Sequence, residues 1–62
     1  MLTDREKEVL KLIAEDWETK EIAKHLFISI NTVGNHRSNM IERLGVRDST
    51  ALVQLAKMSS MI

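Results

Sequence analysis

The sequence predicts an all-α chain of four short helices, and three observations support this. Its 62 residues contain no proline, two glycines, one Trp and one Phe, whereas strands favour aromatic residues and their turns draw on Gly and Pro. Apolar residues recur at helical spacing in four successive stretches, and a Thr, Ser or Asp able to cap a helix precedes each one. The connections are only a few residues long, which suits small helices packed directly on one another.

Residues 1–62 form one domain at most, and a chain of this size buries only about 60% of its unfolded surface. With no cysteine, disulfides and thiolate metal sites are excluded, so helix packing and self-association remain as sources of stability. No apolar run approaches the ~20 residues of a membrane span, and the N-terminus lacks the basic-then-apolar layout of a signal peptide. A soluble, cytoplasmic protein without membrane partners is expected.

"LTDRE" reads as a capping box, with Thr3 accepting from the Glu6 amide while Glu6 reaches back to the Thr3 amide. Val9, Leu10, Leu12, Ile13 and Ala14 give this first helix its apolar face, as far as about Glu15 or Asp16. Thr19 is expected to cap the second helix, where "KEIAKHLF" places Ile22, Ala23 and Leu26 on one stripe ending near Phe27. Ser29 then caps a third helix after a connection too short for an antiparallel return, and such a pair suggests a helix-turn-helix.

On the third helix, Ile30, Val33, Met40, Ile41 and Leu44 fall within an arc of roughly 100° and form the expected core face. Asn31, Gly34, Asn35, Ser38 and Asn39 lie on the other side. Gly45 ends the helix, and Asp48 or Ser49 caps the fourth. That last helix, "STALVQLAKM", spreads its apolar residues over roughly 220° of the wheel, more than one core contact requires. A homodimer seam of Ala51, Leu52, Leu55 and Met58 is expected, with docking of another domain as the alternative. Trp17 is expected to close one end of the core, and Met40, Met58 and Met61 to fill core and seam.

The formal charge is zero, yet residues 1–21 carry a net −3 and residues 22–62 a net +3. A chain so polarised can turn one face towards an anion.

Taken together, "LTDREKEVLKLIA", "KEIAKHLFIS", "NTVGNHRSNMIERLGV" and "DSTALVQLA" resemble the LuxR/NarL-type helix-turn-helix DNA-binding domain over residues 2–62. The resemblance implies a four-helix domain with the third, recognition helix in the DNA major groove and the fourth pairing with a second copy. It further implies a transcription regulator, commonly the output end of a response regulator or quorum-sensing receptor. Its partners would be double-stranded DNA, RNA polymerase and, where the chain is the output end of a longer regulator, an upstream receiver or sensor domain, although a few members are little more than this domain. Two positions depart from the family's usual pattern: Asp16 stands where glycine is general, and Gly34 where the recognition helix generally has lysine.

Asn31 and Asn35 carry the donor–acceptor pair that meets adenine N6 and N7, and Ser38 can donate or accept. These three are the expected base contacts, with Gly34 letting the backbone approach the bases. Thr19 and Lys20 open the second helix, whose amides suit a phosphate. Thr32, His36, Arg37, Asn39 and Arg43 are the other expected phosphate contacts, with Arg37 snorkelling from near the core arc. His25 and His36 lack a third ligand, so neither a metal nor a cofactor is expected. With no nucleophile–base pair, carboxylate pair or phosphate-binding glycine loop, no catalytic residue is assigned and an enzyme is not expected. The promoter-reading helix of sigma factors shares the "LT-x-RE" style of opening but fits the third and fourth helices less well. The remaining alternative is a helix-turn-helix-derived interaction module with weak or no DNA affinity, suggested by the zero charge and Gly34.

Overall fold

Thr3 sets the first helix as its sequence predicts: its side chain accepts from the Glu6 amide at 3.1 Å, and its own amide donates to Glu6 Oε1 at 3.0 Å. The computed structural model describes residues 2–59, as α1 (Asp4–Ala14), α2 (Thr19–Leu26), α3 (Ile30–Leu44) and α4 (Ser49–Met58). There is no strand among the described residues. The expectation for Met61 lies outside them.

The starts of the helices follow the sequence with one correction. Ser29 caps α3 by accepting from the Thr32 amide, and Asp48 caps α4 by accepting from that of Ala51. Thr19, however, is not the cap of α2. Glu18 takes that position, its amide donating to Glu21 Oε1 at 2.9 Å, and Thr19 is the first helical residue. Glu21 stands three residues after Glu18 but only two after Thr19, so the capping-box spacing fits Glu18; the general preference for threonine at a cap is what pointed to Thr19.

Three helices end on one device. Asp16, Phe27 and Gly45 each adopt a left-handed backbone, with φ of 67°, 58° and 67°. The next amide then returns to a carbonyl five residues back: Trp17 to Leu12, Ile28 to Ala23 and Val46 to Ile41, at 3.0–3.2 Å. Each of these residues packs its partly buried side chain on the core, as the apolar residue after a Schellman-type turn does. Asp16 therefore takes a left-handed turn without being glycine.

Val9, Leu10, Ile22, Val33, Met40, Leu52 and Ala56 form the fully buried centre. Helix α3 packs against each of the other three, whereas α2 and α4 do not touch. Two expectations about burial are overturned. Ile30 lies outside the core and is 56% exposed, although Val33 in the same turn is fully buried. Leu52 is completely buried within its own chain, so it has no surface to offer a second copy.

Candidate nucleic-acid interface

The central position of α3 fixes one face inward through Val33 and Met40, and the opposite face must then meet solvent. Asn31, Asn35, Ser38 and Asn39 are all exposed there, with Glu42 at the far end. Gly34 sits among them, and a Cβ built on it meets nothing within 4 Å. Its backbone is ordinary right-handed helix. Neither packing nor backbone geometry in this chain therefore calls for glycine at position 34.

The sides of this face are polar. At its start, the Ser29 and Thr32 hydroxyls lie 2.9 Å apart, and Ser29 also holds the Thr32 amide. Across the helix-turn-helix, Arg37 Nη2 donates to Thr19 Oγ1 at 2.8 Å, joining the middle of α3 to the first turn of α2. The Arg37 side chain thus runs along the seam between the two helices, where its Nε is buried without a hydrogen-bond partner. Thr19 accepts this bond and keeps its hydroxyl proton to donate. Lys20, one residue on, is exposed, and His36 is half-buried.

Arg43 has a different engagement from the one expected. Its Nη1 lies 2.6 Å from Glu6 Oε1, an ion pair between the last turn of α3 and the first turn of α1. One guanidinium nitrogen is thus engaged with an internal carboxylate, while the Arg43 side chain stays 41% exposed. Glu6 is 3% exposed. Its carboxyl is held below the ordinary glutamate value, first by the Thr3 amide, against the opposing effect of burial, and then by Arg43.

Residues 1–56 match the profile of a family described as bacterial regulatory proteins, luxR family. The chain belongs to the LuxR family. Spore germination protein GerE of Bacillus subtilis strain 168 is 50% identical to this LuxR-family chain over 62 residues, covering 98% of the chain and 84% of GerE. Oxygen regulatory protein NreC of Staphylococcus aureus strain JH9 is 41% identical over 56 residues. That match covers 90% of the chain and 26% of NreC. The solved structure of the transcription factor GerE superposes with a TM-score of 0.94 at 38% identity, covering 97% of this chain and 90% of that one.

Within this LuxR-family helix-turn-helix, α4 divides its apolar residues between two directions. Leu52 and Ala56 face the core, while Ala51 and Leu55 are half-buried and Met58 is 85% exposed. These last three are spaced as i, i+4 and i+7, one stripe along the helix. Beside α4, a groove of about 390 Å³ is lined by residues that include Ile13, Asp16, Val53 and Lys57. Among the described residues, no helix is long and apolar enough to cross a membrane, and no group of three or more His, Cys, Asp or Glu side chains could hold a metal ion.

The two cross-helix contacts, Arg37 with Thr19 and Arg43 with Glu6, were not legible in the sequence. Their partners are 18 and 37 residues apart, beyond the reach of any helical spacing rule. The available signal was Arg37 itself, a charge projecting near a core arc, which requires an internal acceptor or a route to solvent.

Proposed function

We propose that the chain is a sequence-specific double-stranded DNA-binding module of a transcription regulator, with α3 as recognition helix and α4 as the homodimer seam. The observation that carries this reading is the exposed polar face of α3, opposite its core face, in a member of a family of bacterial regulatory proteins. Asn31 and Asn35 read adenine edges in the major groove and Ser38 adds a further contact, while Gly34 lets the backbone come close. The target accordingly contains A·T pairs.

Affinity comes from the phosphates on either side. Thr19 donates its hydroxyl proton and Lys20 its charge, at the positive end of the α2 dipole. Thr32, His36, Arg37 and Asn39 contact the backbone from α3. The seam is Ala51, Leu55 and Met58, without Leu52. RNA polymerase, and an upstream receiver or sensor domain where the chain is the output end of a longer regulator, complete the partner set; the match spans a quarter of NreC but 84% of GerE, so the relatives include both a longer regulator and one little larger than this domain.

A second reading is supported by Gly34 and the zero formal charge: an interaction module that has lost the groove contact. Selection from random duplex DNA at low salt, followed by binding to the selected duplexes across a salt series, separates the two. The DNA-binding reading expects an enriched, roughly palindromic motif and a log affinity that falls linearly with log salt. Neither enrichment nor salt dependence would leave the interaction module.

A further inference from the structure

Ile30 is the first residue of α3, immediately before Asn31 and one helical turn before Gly34, and it leaves 56% of its surface in water. Side chains on a helix lean towards its N-terminus, so a side chain at position 34 would lie over residue 30. Gly34 has none, and the space where its Cβ would stand is empty. The two positions together leave an uncovered aliphatic side chain beside bare backbone, at the end of the recognition helix that enters a groove first.

We propose that Ile30 reads thymine C5-methyl groups, with the open surface at Gly34 admitting the base edges alongside it. The inference rests on the DNA-binding reading above and adds a specificity contact to it. Among the base edges of the major groove, the thymine methyl is the apolar feature, and aliphatic contact is how proteins read it. Asn31 is the next residue in the chain, and its amide suits the adenine edge. Every adenine is paired with a thymine whose methyl lies in the same groove, so an amide and an aliphatic side chain at neighbouring positions address both halves of an A·T pair.

Ile30 is not part of the hydrophobic core, and the cap that starts the helix is Ser29. Phe27 is also exposed, at 94%, but it stands in the turn before α3. A protein partner gripping Phe27 and Ile30 together is the competing explanation.

The test uses a duplex obtained by selection, in which each thymine is replaced singly by deoxyuridine, removing the methyl and leaving every hydrogen-bonding group. Affinities are measured for the wild-type chain and for Ile30→Ala, whose helical content is compared by circular dichroism. One or two thymines are expected to weaken wild-type binding about fourfold on loss of the methyl, as for one buried methylene. The same replacements should then leave Ile30→Ala unaffected, the coupling that marks a direct contact. Specific binding in which no methyl matters, or in which its effect persists in Ile30→Ala, overturns the inference and leaves the DNA-binding reading intact. So does an unchanged affinity of Ile30→Ala for the all-thymine duplex, which is the outcome a protein-docking role produces. A wild-type chain without sequence-specific binding removes both readings at once. If Ile30→Ala loses helical content, Ile30→Val supplies the comparison; a methyl effect of undiminished size in it counts against the contact.

Discussion

Arg43 at the end of α3 and Glu6 at the start of α1 form an ion pair of 2.6 Å whose carboxylate is almost entirely buried. Glu6 also closes the Thr3 capping box. One side chain thus both starts α1 and fastens it to the last turn of α3, so its charge state bears on the packing of both helices.

Glu6→Gln keeps an acceptor for the Thr3 amide but removes the charge facing Arg43. A hydrogen bond to a charged group contributes about 1.5–3 kcal/mol, and the part-exposed guanidinium places the expected loss at the lower end. Urea denaturation at neutral pH measures it. Because the folded state lowers this carboxyl's pKa, its contribution is full above the ordinary glutamate range. It is lost as pH falls through the lowered value. The gap in stability between wild type and Glu6→Gln should therefore close on acidification. A gap of constant size would show that charge is not what Glu6 supplies.

Phe27 presents the reverse case, a residue whose backbone costs stability and whose side chain returns little. It holds φ 58° with 94% of its surface exposed, and a residue other than glycine in that region costs about 1–2 kcal/mol. Phe27→Gly should raise the denaturation midpoint by an amount equivalent to about 1 kcal/mol. A lower midpoint would mean that the aromatic ring packs in solution.

Gly34 separates stability from function. Its replacement by alanine inside α3 should add about 1 kcal/mol, since the new Cβ meets nothing. If the bare backbone approaches the bases, the stabler Gly34→Ala chain should bind its selected site more weakly. Gly34→Lys should instead bind all duplexes more tightly and steepen the salt slope by about one. Calorimetry and fluorescence anisotropy together give both axes; Gly34→Ala binding as tightly as wild type would remove the close-approach role.

Much of this fold could be read directly from local chemistry. The Thr3 box, the Ser29 and Asp48 caps and the Gly45 stop each rest on residues within three or four positions of one another, the distance over which helix ends are decided. The turn at Asp16 was marked only by the resemblance, which sets it where glycine is general, and its short polar side chain tolerates the left-handed backbone it takes; Phe27 carried no such mark. The errors were tertiary. Ile30 falls within the apolar arc of the wheel and yet lies outside the core, and Leu52 is apolar for the core of its own chain. At the candidate interface, the polar face of α3 followed from the wheel, but the pairing of Arg43 with Glu6, 37 residues away, did not.

Asn35 and Lys20 test the division between reading and holding. Asn35→Ala should cost about 1–3 kcal/mol on a selected site and little on random duplex. Lys20→Ala should weaken both alike and reduce the salt slope by about one. Equal losses for Asn35→Ala on both kinds of DNA would remove it as a base reader.

The stripe Ala51, Leu55 and Met58 makes the dimer seam testable without disturbing the core. Met58 is 85% exposed, so Met58→Glu introduces a charge that a single chain accommodates in water. In a symmetric pair the same charge meets an apolar surface on both sides. Met58→Glu, and with it Leu55→Glu, should sediment as monomers and lose cooperative occupancy of half-sites about 10 bp apart. Leu52→Ala should behave oppositely, costing about 2–5 kcal/mol of folding stability through the cavity it leaves. If Met58→Glu and wild type form the same dimer at the same concentration, α4 is not the seam. If wild type is monomeric, cooperative filling of paired sites becomes the measurement, and its persistence in Met58→Glu would exclude this stripe.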